Sequence, residues 1–379
     1  MPRSVVIIGT RGYPSYYGGF ETAVRRLAPY LADHGWDVTV YGRPGSTRDD
    51  AGPRDPRVRT IVTGGWETRS LSTLSFGFTA SRDAASRRPD VALVMNAANG
   101  FFLPLLNRAG VPSLVNVDGM EWERAKWGRV AKQVFRAGAR WTARHGTVLA
   151  FDAREIERRW KAEFQRDGVF IPYGGDVPPL LPVERGLEHR GYALIVARFV
   201  PENTVAEFFA AAPALAKTHD VVVVGSTGYG GAFDEEALRL SRSHERIHWL
   251  GHVSDDTRLF SLWQHAGAYF HGHSVGGTNP ALVQAMACAA PIVARDTPYN
   301  REVLGERATF VQPSVEHIVE AVTAMLVSPE AQETASRDAF DRGQAEYTWD
   351  LVCSAYEEVL SALADRTSAH SGRRNQVIR

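Results

Sequence analysis

The chain has 379 residues, 44% hydrophobic and 23% charged, with 43 Lys+Arg against 43 Asp+Glu. That length exceeds what a single hydrophobic core usually serves, so two domains are expected, and the ordinary composition excludes a disordered or fibrous chain. Zero net charge offers no global field for nucleic acid, and no apolar run is long enough for a membrane-spanning helix.

Ser4–Gly9 is a short apolar run ending in glycine, which reads as a buried parallel strand. A polar, glycine-rich loop follows over 10–19. A helix is expected from Glu21 to His34, with Val24, Leu27, Ala28 and Leu31 on one face and Gly35 as its stop. Strands follow at 37–41, 91–95, 113–117 and 147–150. The rhythm pauses over 171–190, rich in proline, glycine and charge, which reads as an interdomain hinge. It restarts at Tyr192–Ala197, with strands near 221–224, 247–250, 268–271 and 292–294. Helices are expected at 204–217, 255–266, 280–289 and 315–326. A last amphipathic helix covers 349–364, and the polar, basic end reads as a disordered tail.

Two doubly wound α/β halves in tandem account for this order, with ligands at the carboxyl ends of the strands. The expected domains are 1–172, a hinge at 173–190, 191–346, a returning helix at 347–365 and the tail 366–379. The two cysteines, Cys288 and Cys353, fit a reducing cytoplasm and read as buried packing. A strand that begins by Val5 leaves no room for a signal peptide, so the expected location is cytoplasmic.

Five stretches carry chemistry. Gly18-Gly19 stand just before a helix N-terminus, whose free N–H groups and partial positive charge suit phosphate; a ligand-free tight turn is the competing reading. The spacing fits neither a dinucleotide fingerprint nor a Walker loop. Arg198 stands where a strand passes into a loop and a helix, placed either to neutralise a departing diphosphate or to make a surface ion pair. His271-Gly-His273-Ser-Val-Gly276-Gly277-Thr278-Asn279-Pro280 joins a strand to a helix through a glycine-rich turn. Backbone N–H groups of Gly277, Thr278 and Asn279 can grip phosphate, and Gln284, one helical turn further, can meet a ribose hydroxyl. His271 and His273 lack a third ligand, so no metal is expected. Asp118 and Glu121 follow a strand end, where either can orient an acceptor hydroxyl or hold a sugar; Glu121 reads equally as a first-turn acid. The 124–145 stretch carries Lys126, Arg129, Lys132, Arg136, Arg140 and Arg144 among Val130, Val134, Phe135 and Trp141. It is either an anionic-membrane contact or a solvated helix face.

Taken together, these stretches resemble the retaining nucleotide-sugar glycosyltransferases of the GT-B fold. More narrowly, they resemble the bacterial rhamnosyltransferase branch of capsule and exopolysaccharide assembly. The likeness lies in Gly9-Thr-Arg-Gly-Tyr-Pro with Tyr17-Gly-Gly-Phe-Glu-Thr22, in Asp118-Gly-Met-Glu-Trp-Glu-Arg-Ala-Lys-Trp127 and in Arg198-Phe-Val-Pro-Glu-Asn203. It continues in the 271–280 stretch and in Asp296-Thr-Pro-Tyr-Asn-Arg-Glu-Val-Leu304.

The resemblance implies two Rossmann-like domains facing a central cleft. Gly18, Gly19 and Arg198 would face the donor diphosphate, and Gly277, Thr278 and Asn279 the diphosphate and donor sugar, with Asn203, His273 and Gln284 in the same donor-binding set. Arg198, Asp118 and Glu121 form the expected catalytic group. The donor would be dTDP-L-rhamnose first, a UDP- or GDP-hexose second. The acceptor would be a saccharide, lipid-linked or free, or a soluble metabolite, with no cofactor beyond the nucleotide sugar. The location implied is the cytoplasm, with a peripheral contact on the inner face of the plasma membrane through 124–145.

The chain departs from the wider family, which usually has Lys near Asn203, Glu at Gly276, His at Asp118 and Glu at Gln284. These departures keep a second reading open, a protein that binds nucleotide sugar with impaired transfer.

Overall fold

The computed structural model describes residues 2–15, 18–45, 54–66, 72–124, 127–228 and 230–376, with side chains to 366. The chain divides into two compact units, Met1–Pro172 with Asp350–Arg379, and Tyr173–Trp349.

The first unit is built on seven strands: β1 Ser4–Ile8, β2 Asp37–Gly42, β3 Arg59–Val62, β4 Val91–Met95, β5 Ser113–Asn116, β6 Val148–Phe151 and β7 Val169–Phe170. All are parallel, in the order β3-β2-β1-β4-β5-β6-β7. The strands read as nearly continuous apolar runs because both sheet faces are covered; Ile7, Ile8, Leu93, Val115 and Leu149 are buried. The helices are α1 Gly19–Asp33, α2 Ser72–Arg87, α3 Leu103–Arg108, α4 Arg129–His145 and α5 Arg154–Phe164.

The second unit repeats the plan with β8 Tyr192–Val196, β9 Asp220–Val224, β10 Ile247–Gly251, β11 Ala268–His271, β12 Ile292–Arg295 and β13 Thr309–Val311. The sheet order is β10-β9-β8-β11-β12-β13, again all parallel. Its helices are α6 Val205–Leu215, α7 Ala232–Ser243, α8 Asp256–His265, α9 Pro280–Ala287, α10 Pro298–Leu304, α11 Val315–Leu326 and α12 Pro329–Glu346. Phe208 stacks on Phe270 at 5.2 Å within a core that includes Ile195, Val223, Val293 and Ile318.

In each sheet the strand order reverses beside the first strand of the unit, at β1/β4 and at β8/β11. Such switch points open a crevice at the carboxyl ends of the strands. Two glycines permit the close backbone approach this needs. Gly9 has φ +96°, and a Cβ there would lie 2.2 Å from the Met95 carbonyl oxygen. Gly225 has φ +137°, and a Cβ would lie 1.8 Å from the Ala197 carbonyl oxygen.

Residues 173–190, expected as a hinge, are packed onto α8 and α9. Gln264 accepts from Leu181 N at 3.0 Å, Ser261 donates to Pro182 O at 2.6 Å, and Arg258 pairs with Glu184. The last helix runs Trp349–Gln376 and continues past residue 366, where a disordered tail was expected. Cys288 and Cys353 are buried free thiols, and burial pushes both up to about 12.

Candidate functional site

In the second unit, Arg198 follows β8 at the switch point. Its backbone is fixed: the Asn203 amide and Val200 N both donate to the Arg198 carbonyl, each at 2.9 Å. Phe199 is buried against Phe209, with ring centroids 5.2 Å apart, which anchors the turn from below. The Arg198 side chain is exposed, and its guanidinium has no hydrogen-bond or ion-pair partner among the described residues of its unit. The turn is held at its backbone and presents this guanidinium to solvent, where a guanidinium can meet an anion.

The 271–279 loop after β11 is tied to this turn. Thr204, buried with φ +57°, donates to Gly272 O at 2.6 Å, and Ser274 N and Oγ both donate to Glu202 O, at 2.9 and 2.7 Å. Asn300, at the start of α10, donates to His273 O at 3.0 Å and Arg295 O at 2.8 Å. Arg295 reaches Thr204 Oγ1 at 3.0 Å and brings a second guanidinium to the strand ends. Pattern reading passed over Thr204, Arg295 and Asn300. The Thr297 cap before Pro298 was the available signal for Asn300, while Thr204 and Arg295 carried none.

The polar residues expected to grip the donor turn largely inward. Asn203 is 4% exposed and holds the Arg198 carbonyl. Asn279 is the N-cap of α9, accepting from Ala281 N at 2.9 Å. Gln284 clasps the main chain of Asp176 at both ends of its amide: Oε1 accepts from Asp176 N at 3.0 Å, and Nε2 donates to Asp176 O at 2.7 Å. Gln284 therefore stands as a clamp on the 173–176 segment rather than as an open ribose partner. Gly277 and the buried Thr278 lie in the turn directly before the α9 N-terminus, where the helix dipole favours an anion. His271 is buried and stacks on His273, with centroids 4.5 Å apart at 12°. Burial, with His273 alongside, holds the His271 imidazole well below its usual range and so neutral.

In the first unit, Gly18 is the N-cap of α1, with Gly19 as the first helical residue. Buried Glu21 accepts from Arg11 N at 3.2 Å and steadies the glycine-rich loop from within. Asp118 follows β5 with φ +59°, a strained conformation for a non-glycine residue. Its N–H donates to Asn116 Oδ1 at 3.1 Å. Glu121 is 8% exposed; Arg124 pairs with one of its carboxylate oxygens at 2.6 Å, and Trp127 donates to the other at 2.8 Å. Its geometry is that of a brace for the 118–127 turn. Lys126, from the basic stretch, lies outside the described residues.

Helix α4 turns Gly138, Ala139, Thr142 and Ala143 inward. Val130, Val134 and Trp141 are exposed, 36–75% in the free surface, and share one face beside Arg129, Arg140 and Arg144. No helix among the described residues is long and apolar enough to cross a membrane.

Two Rossmann-like parallel-sheet units with cationic loops at a switch point define the class of GT-B proteins. The solved structures agree. Sucrose-phosphate synthase from Thermosynechococcus elongatus matches with TM-score 0.77 at 17% identity, over 95% of this chain and 99% of that one. HepE from Anabaena, in complex with UDP and glucose, matches with TM-score 0.75 at 12% identity, over 95% of this chain and 100% of that one. An α,α-trehalose-phosphate synthase from Burkholderia vietnamiensis gives TM-score 0.73 at 14% identity, over 95% and 100%.

Family models match one per unit: residues 18–174 match the glycosyl transferase 4-like domain, and residues 183–342 match glycosyl transferases group 1. Each part of the chain thus carries its own glycosyltransferase match, the 4-like domain first and the group 1 domain after it. A phosphatidyl-myo-inositol mannosyltransferase of Mycobacterium leprae is 31% identical over 225 residues, 55% of this chain. That alignment spans 58% of the mannosyltransferase, so the chain matches little more than half of its length.

Proposed function

We propose that this glycosyltransferase moves a sugar from a nucleotide diphosphate to a hydroxyl acceptor with retention at the anomeric carbon. The first-choice donor is dTDP-L-rhamnose and the acceptor a lipid-linked saccharide of polysaccharide assembly. The observation that carries the transfer is Arg198, exposed on a turn laced to the loop that leads into α9. The rhamnosyl choice rests on the motif likeness at Gly9–Thr22, Asp118–Trp127 and His271–Pro280.

In this reading Arg198 and the α9 N-terminus stabilise the charge that grows on the diphosphate as its bond to the anomeric carbon breaks. The acceptor oxygen bonds to that carbon on the same face, and its proton passes to the departing phosphate oxygen. Asp118, held by its turn, orients the donor sugar or the acceptor hydroxyl. The side chains and dipoles supply the countercharge, so transfer is expected to persist in a chelator. Peripheral membrane contact through α4 is supported by its exposed apolar stripe beside arginines.

A second reading, nucleotide-sugar binding with impaired transfer, draws on Gln284, whose amide is committed to Asp176. Donor binding with no acceptor-dependent release of nucleotide would favour it.

The test is Arg198→Ala. One preorganised donor of this kind is worth about 2.7–4 kcal/mol, so turnover at saturating donor should fall roughly a hundredfold or more. Turnover close to wild type would reject the assignment. A thermal-shift panel selects the donor, because a ligand at 100 times its Kd adds about 2.7 kcal/mol.

A further inference from the structure

In the second sheet the strands β8, β11 and β12 lie side by side, with β11 in the middle. At their carboxyl ends β8 leads to Arg198, β11 leads to the 271–279 loop, and β12 ends in Arg295, one residue past Ala294, the ladder partner of His271. An arginine therefore flanks the glycine-rich loop on each side. The two are held alike. The Asn203 amide donates to the Arg198 carbonyl at 2.9 Å, and the Asn300 amide donates to the Arg295 carbonyl at 2.8 Å. Both asparagines are buried, at 4% and 3% exposure. Asn300 also donates to His273 O at 3.0 Å, which ties the second arginine to the loop.

The half-buried Arg295 side chain leans back across the end of β11 towards the turn that carries Arg198. Its Nη1 donates to Thr204 Oγ1 at 3.0 Å, and the same hydroxyl donates to Gly272 O at 2.6 Å. Thr204 is buried, and its φ of +57° is a left-handed conformation that a β-branched residue rarely adopts. Strain of that kind persists only where the surroundings enforce it, and it gathers at ligand clamps. The Thr204 hydroxyl anchors the guanidinium through one N–H and leaves the others unused by any described residue. Nor does an ion pair neutralise Arg295 among the described residues: the adjacent Asp296 pairs with Arg301 at 2.6 Å. A guanidinium anchored in this way, with its charge unmatched, has donors left for an anion.

We propose that Arg295 is a second phosphate-binding residue and that, with Arg198, it makes this site selective for a diphosphate over a monophosphate. The proposal rests on the nucleotide diphosphate donor in the function given above and adds a residue that sets its specificity. A single phosphate satisfies one guanidinium. A diphosphate brings two anionic groups joined through one oxygen and satisfies both. A monophosphate loses little when one arginine is removed, because it keeps whichever guanidinium remains, whereas a diphosphate loses one of its two contacts.

The experiment is a calorimetric titration of the full chain with dTDP, UDP and GDP, each beside its own monophosphate. Wild type should bind at least one diphosphate, and more tightly than the matching monophosphate. Arg295→Gln removes the charge and keeps an amide donor. It should weaken that diphosphate about tenfold or more and the monophosphate far less, with Tm little changed. Arg295→Met, of similar bulk, serves if Arg295→Gln fails to fold. Arg295→Lys restores the charge without the planar fork and should recover part of the loss. Wild-type diphosphate affinity in a folded Arg295→Gln or Arg295→Met overturns this proposal alone and leaves the donor reading standing. Equal losses for the diphosphate and the monophosphate also overturn it and make Arg295 a brace for the 271–279 loop. Folded wild type that binds none of the three diphosphates overturns this proposal and the donor reading together.

Discussion

Tyr356, on the C-terminal helix, accepts a hydrogen bond at 2.7 Å from the Asn116 amide, at the end of β5. Both residues are buried, at 3% and 2% exposure, and the same Asn116 receives the Asp118 N–H on its oxygen. A residue 238 positions away in the sequence thus orients the amide that holds Asp118 in its left-handed turn. Tyr356→Phe leaves a buried amide N–H unpaired, which costs about 1–3 kcal/mol. The expected outcome is that loss of stability in urea unfolding, with kcat reduced more than donor KM. Equal loss of stability with unchanged kcat would make Tyr356 a packing residue only.

Gln284 holds the Asp176 main chain through both ends of its amide. A carboxylate there can accept from Asp176 N but cannot donate to Asp176 O. Gln284→Glu should therefore lower stability by about 1–3 kcal/mol with no gain in nucleotide affinity. Tighter nucleotide binding in that variant, read by calorimetry, would restore the ribose role.

Gly225→Ala would place a methyl group 1.8 Å from the Ala197 carbonyl, at a φ of +137°. The adjacent residue is Arg198, so the strain falls on the turn that presents the guanidinium. A loss of about 3 kcal/mol or more is expected, measured by denaturant titration. A crystal structure of a folded variant should show the 197–199 turn displaced.

His271 and His189 are both held below the usual imidazole range; burial is the first cause, followed by His273 for the former and Arg190 and His265 for the latter. Each folded pKa lies below the unfolded value of about 6.5, so the unfolded chain binds more protons as the pH falls. Stability is complete above about pH 6.5 and declines below it. Tm measured from pH 7.5 to 5.0 should fall on the acid side, and His271→Gln should flatten that fall. An unchanged profile in His271→Gln would assign the effect elsewhere.

Reversing Arg140 and Arg144 to Glu should abolish binding to anionic vesicles and leave Tm within a few degrees, because both side chains are exposed. Sedimentation with phosphatidylglycerol vesicles reads this; retained binding would leave α4 a solvated face.

The sequence by itself determined the alternation of elements. Short, β-branched apolar runs such as Val91–Met95 and Val221–Val224 fit strands covered on both faces, and the glycines after β1 and β9 mark where backbones meet. It also located the glycine-rich loops that join strand to helix, because glycine, proline and capping residues act on their immediate neighbours. Short edge strands such as β7 and β13 were less legible, since two or three residues carry no period. The jobs of individual polar side chains were decided only by tertiary structure. Asn203, Asn279, Gln284 and Glu121 all read as candidates for a ligand, yet each forms a bond to its own fold. Thr204, Arg295, Asn300 and Tyr356 gave little or no warning of theirs. A hydrogen bond is settled by a few ångströms of separation and a direction, and those are fixed only when residues remote in the chain are packed against one another.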